Sequence, residues 1–163
     1  MVTIQESGMT FGPFQEDQIY WIEKASAYKS LGQGIKSVEF VYKKDADKLF
    51  FIEAKSSSPN PLRESIDNYI KDIAEKFIHS FNLWLTLYLQ RRKDNIAPDL
   101  LDASMKTNIF CFILVINGHK QEWLPPIKEA LERKLMVERK IWNHQVIVIN
   151  DSLARTNRLI RES

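Results

Sequence analysis

Glu39 stands near the start of one apolar run, and Glu53 and Lys55 near the end of the next, in the stretch SVEFVYKKDADKLFFIEAKSS from Ser37 to Ser57. Ser37–Lys43 and Lys48–Lys55 are rich in Val, Phe, Tyr and Ile, and the polar KKDAD between them supplies a turn, so the segment reads as a β-hairpin. A turn centred on Ala46 sets Glu39 directly across from Glu53. Because side chains alternate along a strand, Glu39, Glu53 and Lys55 then share one face while Ile52 and Ala54 point to the other. Two carboxylates facing one another repel, and burial beneath a covering layer makes the pair costlier. Lys55 can neutralise one charge. A divalent cation can neutralise the rest, and Mg²⁺ (or Mn²⁺) suits one or two carboxylates, a carbonyl and several waters. The plainer alternative is an exposed Glu53–Lys55 ion pair at a strand end, worth roughly 0–1 kcal/mol.

The elements that must position these groups alternate between strand and helix. Val2–Gln5 reads as a short edge strand, and Phe14, Ile19, Ile22 and Tyr28 outline a first helix ended by SLGQG. After Pro59 and Pro61, apolar residues recur every three or four positions from Leu62 to about Arg92, which is the period of a helix face; such a helix would run about 45 Å. Ile70, Phe77, Ile78, Leu85 and Leu89 form a second apolar stripe beside the first, and an open stripe of that kind leads us to expect a two-fold homodimer. Asn108–Asn117 is a continuous apolar strand, as in a sheet covered on both faces. A helix from Glu122 to about Glu138, with Pro125 and Pro126 in its first turn, a strand Gln145–Ile149 and the basic tail SLARTNRLIRES complete the chain. The order predicts a three-layer α/β domain with a mixed sheet, a central hairpin and flanking helices.

With 163 residues, 44% of them hydrophobic, the chain is sized for a single globular domain rather than two or a disordered segment. A net charge of +2 does not by itself select a partner. Cys111, the lone cysteine, lies inside the apolar run NIFCFILVIN, which excludes a disulfide framework and favours a buried thiol. MVTIQESGMTFGPFQ lacks the charged and apolar regions of a leader, and no apolar run is long enough to span a bilayer, so a soluble, cytoplasmic protein with no membrane partner is expected. His79, His119 and His144 show no metal-ligand spacing, and Trp84, Tyr88, Trp123 and Trp142 read as packing residues.

The combination of Glu39 in SVEFVY, a hairpin turn, Glu53-Ala54-Lys55 in FFIEAKSS, a long helix and another strand resembles the PD-(D/E)XK, or restriction-endonuclease-like, nuclease superfamily. In that family an acid opens one strand and an E-x-K triplet closes the next. The resemblance implies a restriction-endonuclease-like α/β/α core over about residues 14–117 of a single domain that also holds the C-terminal helix, strand and basic tail of 122–163. It further implies a Mg²⁺-dependent hydrolase that cleaves phosphodiester bonds, with DNA preferred over RNA. Glu39 and Glu53 would ligate the metal together with the carbonyl of Ala54, and Lys55 would orient the attacking water. An upstream acid, Glu23 in YWIEKAS or else Glu16 in PFQEDQ, would join them as a further site residue. This chain has Glu where the first acid is usually Asp, Val38 where a proline is frequent, and Ser65 and Tyr69 where the RecB-like subgroup carries Gln-x-x-x-Tyr. The alternative is a non-catalytic member of the fold that binds nucleic acid or a protein partner.

Ser56, followed by Ser57 and Ser58, leaves the hairpin where a phosphate could bind or a helix could be capped. Arg91, Arg92 and Lys93 close the long helix, and further Arg and Lys residues recur toward the C-terminus. Together they could make a phosphate-backbone footprint or simply a solvated face.

Overall fold

The computed structural model describes residues 1–104, 106 and 109–161. Strands β1 (Val2–Glu6) and β2 (Met9–Phe14) form a separate antiparallel ribbon. There follow β3 (Ile19–Tyr20), the single turn α1 (Ser26–Lys29), β4 (Phe40–Asp45), β5 (Lys48–Lys55) and the long helix α2 (Asp67–Tyr88). Then come α3 (Pro98–Ser104), β6 (Ile109–Ile116), α4 (Leu124–Lys134), α5 (Met136–Trp142), β7 (Gln145–Asn150) and α6 (Asp151–Thr156). The mixed sheet has the order β3-β4-β5-β6-β7, antiparallel as far as β5 and parallel from there.

Hairpin register follows the sequence pattern: Phe40 faces Ile52, Val41 faces Phe51 and Tyr42 faces Phe50. The pairing slips by one residue only at the turn, where Asp45 faces Lys48 and the Asp45 carboxylate accepts the Asp47 amide at 2.9 Å. One face of the sheet (Val41, Leu49, Phe51, Phe110, Phe112, Leu114, Val146) packs beneath α2 and α4. The other (Phe40, Phe50, Ile52, Cys111, Ile113, Val115, Ile149) is covered by the β1–β2 ribbon, α6 and the tail residues Leu159 and Ile160. The protein is therefore a mixed α/β structure with flanking helices, whose second outer layer is built largely from a β ribbon.

Several expectations need correction. Val2–Gln5 does not edge the main sheet, and the expected first helix is reduced to the single turn α1, which holds Tyr28 alone of the four residues. Phe14 is buried in the ribbon, Ile19 belongs to an edge strand and Ile22 to a buried 3-10 turn, so their helix-like spacing serves unrelated partners. Helix α2 starts at Asp67 rather than Leu62 because Asn60 organises a local turn, its side chain accepting the Leu62 amide at 2.9 Å. It stops at Tyr88, two residues before Gln90 enters the left-handed region at φ 56°. The second stripe on α2 is not open: Ile70 and Phe77 are buried, Ile78 and Leu85 pack against the core, and Leu89 alone of the five is well exposed. The expected helix from Glu122 breaks at buried Leu135 into α4 and α5. Asn108, and Glu162–Ser163 of the basic tail, lie outside the described residues. In the C-terminal segment β7 pairs with β6, and Ile160 bridges Phe11 of the ribbon. Among the described residues no helix is long and apolar enough to cross a membrane.

Candidate active site

Parallel strands β5, β6 and β7 end together, and the crevice outside such carboxyl ends is where open α/β sheets commonly bind ligands. Glu39 enters at this end as the residue immediately before β4, still bonded to the neighbouring strand and to the 3-10 turn. Its amide donates to the Ile52 carbonyl at 3.0 Å, and its carbonyl accepts the Glu23 amide at 3.3 Å. From α2, the fully buried Ser80 hydroxyl accepts the Val38 amide at 2.8 Å and fixes the approach to the strand. Glu39 and Glu53 thus share the face covered by α2, at 6% and 0% exposure, and one oxygen of each, Oε2, is buried without a hydrogen-bond partner.

Lysines surround Glu53 unevenly. Lys76 Nζ lies 2.7 Å and Lys55 Nζ 3.2 Å from Glu53 Oε1. Lys55 also reaches Asp72 Oδ2 at 3.6 Å, and Asp72 in turn pairs with Lys36 at 2.9 Å. Asp72 and Lys76 lie one turn apart on α2, which is why both descend on the same strand end. Tyr69, a turn earlier, donates its hydroxyl to the Ser57 carbonyl at 3.2 Å and ties α2 to the exit of β5.

The acids outnumber these cations locally. Glu6, at the end of β1, Glu23, in a 3-10 turn, and Glu39 each bring a carboxylate oxygen within 4.8 Å of the others. Burial, then the charges of Glu53, Glu23 and Glu6, push the Glu39 carboxyl up to about 8. Burial also pushes Glu53 up, with Lys76 and Lys55 pulling against it. Burial alone would lower Lys76, but the charge and hydrogen bond of Glu53 outweigh it and hold the ammonium above its ordinary value. These clustered oxygens match the donors a hard divalent cation prefers.

Of the residues singled out from sequence, the structure brings together Glu23, Glu39, Glu53 and Lys55, with Ala54 between the last two in β5. Glu16 is exposed and pairs with the N-terminal amine at 3.9 Å, apart from this cluster. Ser56 follows β5 directly and is exposed at the same end of the sheet. Ser58 caps no helix; its hydroxyl lies 3.2 Å from Nδ1 of His119, whose ring meets Trp123 edge-on. Arg91, Arg92 and Lys93 fall at the far end of α2, roughly 20 Å along the helix from Lys76. Arg155 is held by Asp151 at 2.6 Å, and Arg133 by Glu129 at 3.1 Å.

Sequence reasoning missed Lys76, Asp72 and Glu6. The first two carried a signal: a carboxylate and an ammonium four residues apart, beside the apolar stripe of Ile66, Tyr69, Ile73 and Phe77. Glu6 carried none, because its position depends on where the whole ribbon docks. Compared with protein-family models, curated proteins and solved structures, the chain matches none.

Proposed function

We propose that this chain is a divalent-cation-dependent nuclease of the PD-(D/E)XK type, hydrolysing phosphodiester bonds in nucleic acid, DNA in preference to RNA. The observation that carries this reading is the buried pair Glu39 and Glu53, each with an orphaned oxygen, set beside Lys55 at the carboxyl ends of the strands. Two neighbouring carboxylates in a covered layer are costly as a pair of charges unless one takes up a proton or a cation joins them. An acid before one strand, the E-x-K triplet on its hairpin partner and a long helix after it support membership of the superfamily.

Glu39, Glu53 and the Ala54 carbonyl would hold Mg²⁺, with Glu23 beside them. Once bound, such an ion polarises a phosphoryl oxygen and eases deprotonation of a water. Lys55, its side chain 26% exposed, bridges Glu53 and solvent. Its ammonium would orient the attacking water and stabilise charge gathering on the phosphate. Lys76 positions Glu53 by gripping Oε1 and leaving Oε2 free.

Lys76 also favours a second reading, since an ammonium already seated on Glu53 is what a non-catalytic binding or scaffold member of the fold would show. The two are separated by incubating the protein with supercoiled plasmid and single-stranded DNA in millimolar Mg²⁺ or Mn²⁺. The nuclease reading expects cleavage that EDTA abolishes and that Lys55→Ala lowers about 10²–10⁴-fold. Intact substrates with Mn²⁺, alongside retained DNA binding, would replace it with the scaffold reading.

A further inference from the structure

We propose that Glu6, on the N-terminal ribbon, completes a divalent-cation site with Glu23 and Glu39, so that the ion is held by three elements distant in the chain and not by the central hairpin alone. This rests on reading the carboxylate cluster as a cation centre. It goes beyond that reading by assigning a ligand that lies outside the hairpin, and by making the ribbon part of the site.

The spacing fits. Oxygens bound to one Mg²⁺, Mn²⁺ or Ca²⁺ at about 2.0–2.6 Å lie at most about 4–5 Å apart, and the three carboxylates each place an oxygen within 4.8 Å of the other two. Burial supports the same point independently, since Glu39 is 6% exposed and its Oε2 has no partner. Charge compensation divides the cluster. Glu53 has two lysines on one oxygen, whereas among the described residues no ion pair reaches Glu6 or Glu39. Among the described residues the ion pair of Glu23 is with Lys24, at 3.9 Å and largely exposed. The carboxylates least compensated by lysines are therefore Glu6 and Glu39, with Glu23 next.

Glu6 is also held firmly enough to serve. The turn after β1 rests on the end of β6, where the Asn117 side-chain amide donates to the Ser7 carbonyl at 3.1 Å. Gly8, at φ 76°, lets the turn approach: a Cβ there would stand 2.8 Å from Asn117 Nδ2. Along β2 the ribbon is clamped by the tail, with the Gly12 amide donating to the Leu159 carbonyl and the Arg161 amide to the Thr10 carbonyl, both at 2.9 Å. Ile4 and Phe11 are fully buried against the sheet.

The test is Mn²⁺ binding to the full chain, read by loss of the free-ion electron paramagnetic resonance signal, for the unmodified protein, Glu6→Gln and Glu39→Gln, with EDTA melts of each. Glu6→Gln removes a like charge from a half-buried position, so its metal-free melt should not fall, while its Mn²⁺ affinity drops by at least about tenfold, the effect expected for groups that hold a metal. Glu6→Asp, which keeps the charge but withdraws the oxygen by one methylene, should show the same weakening with an unchanged metal-free melt. If both Glu6 variants bind as tightly as the unmodified chain while Glu39→Gln has lost binding, Glu6 is no ligand and the cation centre stands without it. If the unmodified chain takes up no Mn²⁺ at millimolar concentration, the inference and the reading beneath it both fail.

Discussion

Two ends of the same helix-covered face bury titratable groups without hydrogen-bond partners, and they do so to opposite effect. At the carboxyl ends of the strands lie Glu39 and Glu53. At the other end, just before β7, lies His144, 4% exposed, with neither ring nitrogen paired. Its ring centroid is 4.4 Å from those of Phe81 and Phe112, both edge-on, and stacks more distantly on Trp142. Burial drives the His144 imidazole down to about 4, so it is neutral at ordinary pH and behaves as another aromatic core residue. The carboxylates have no such exit at the same pH without either taking up a proton or gaining a cation. An orphaned buried atom is thus weak evidence of a site, whereas several orphaned acids in one place ask for a proton or a counter-ion.

The sharpest way to break this contrast is to remove a cation from the acidic end. Lys76→Met should cost roughly 3 kcal/mol or more in metal-free buffer, because it leaves the fully buried Glu53 with Lys55 alone. Chemical denaturation followed by tryptophan fluorescence measures it, and a loss below about 1 kcal/mol would mean that Glu53 is readily protonated or hydrated.

Next in size is the pH dependence, where the two ends oppose each other. Glu39 has a folded value near 8, above its unfolded one, so its contribution is intact below about 4.5 and is lost as pH rises toward 8. His144 is depressed to about 4, so its contribution is intact above about 6.5 and is lost as pH falls toward 4. Metal-free melts across this range should therefore lose their alkaline decline in Glu39→Gln and their acid decline in His144→Phe. His144→Phe should itself shift stability by less than about 1.5 kcal/mol, as a near volume-conserving core replacement. The smallest effect belongs to Arg91 and Arg92, which sit a helix length from the carboxylates. Replacing either with Ala should change stability by no more than about 0.5 kcal/mol and leave Mn²⁺ affinity unaltered.

How far this arrangement was legible in the sequence depended on whether a residue's role was local. The hairpin register could be read because the apolar runs flank one short polar turn, and with it came the meeting of Glu39, Glu53 and Lys55. The central span of α2 could be read because Ile73, Phe81 and Trp84 recur at helical spacing and face one core. The first helix misled because Phe14, Ile19 and Ile22 are apolar for three unrelated reasons. The α2 stripe misled in the other direction: Ile70 and Phe77 face the core of their own chain, so the surface expected to lie open for a second copy is covered. Lys76 lay hidden among the solvated charges of a long helix, although no solvent-facing role explains why its side chain is only 19% exposed. Glu6 depended on the docking of the whole ribbon through Asn117, a contact between residues 110 positions apart.

The most direct measurement of the central claim is calorimetric titration of Mn²⁺ into the full chain near pH 7, with Glu53→Ala as control and in two buffers of different ionisation enthalpy. Glu39 is largely protonated below about 8 without metal, so binding must displace its proton and the apparent heat must change with the buffer. Binding should be saturable, release close to one proton and be lost or greatly weakened in Glu53→Ala. No heat beyond dilution, or the same isotherm from Glu53→Ala, would contradict it.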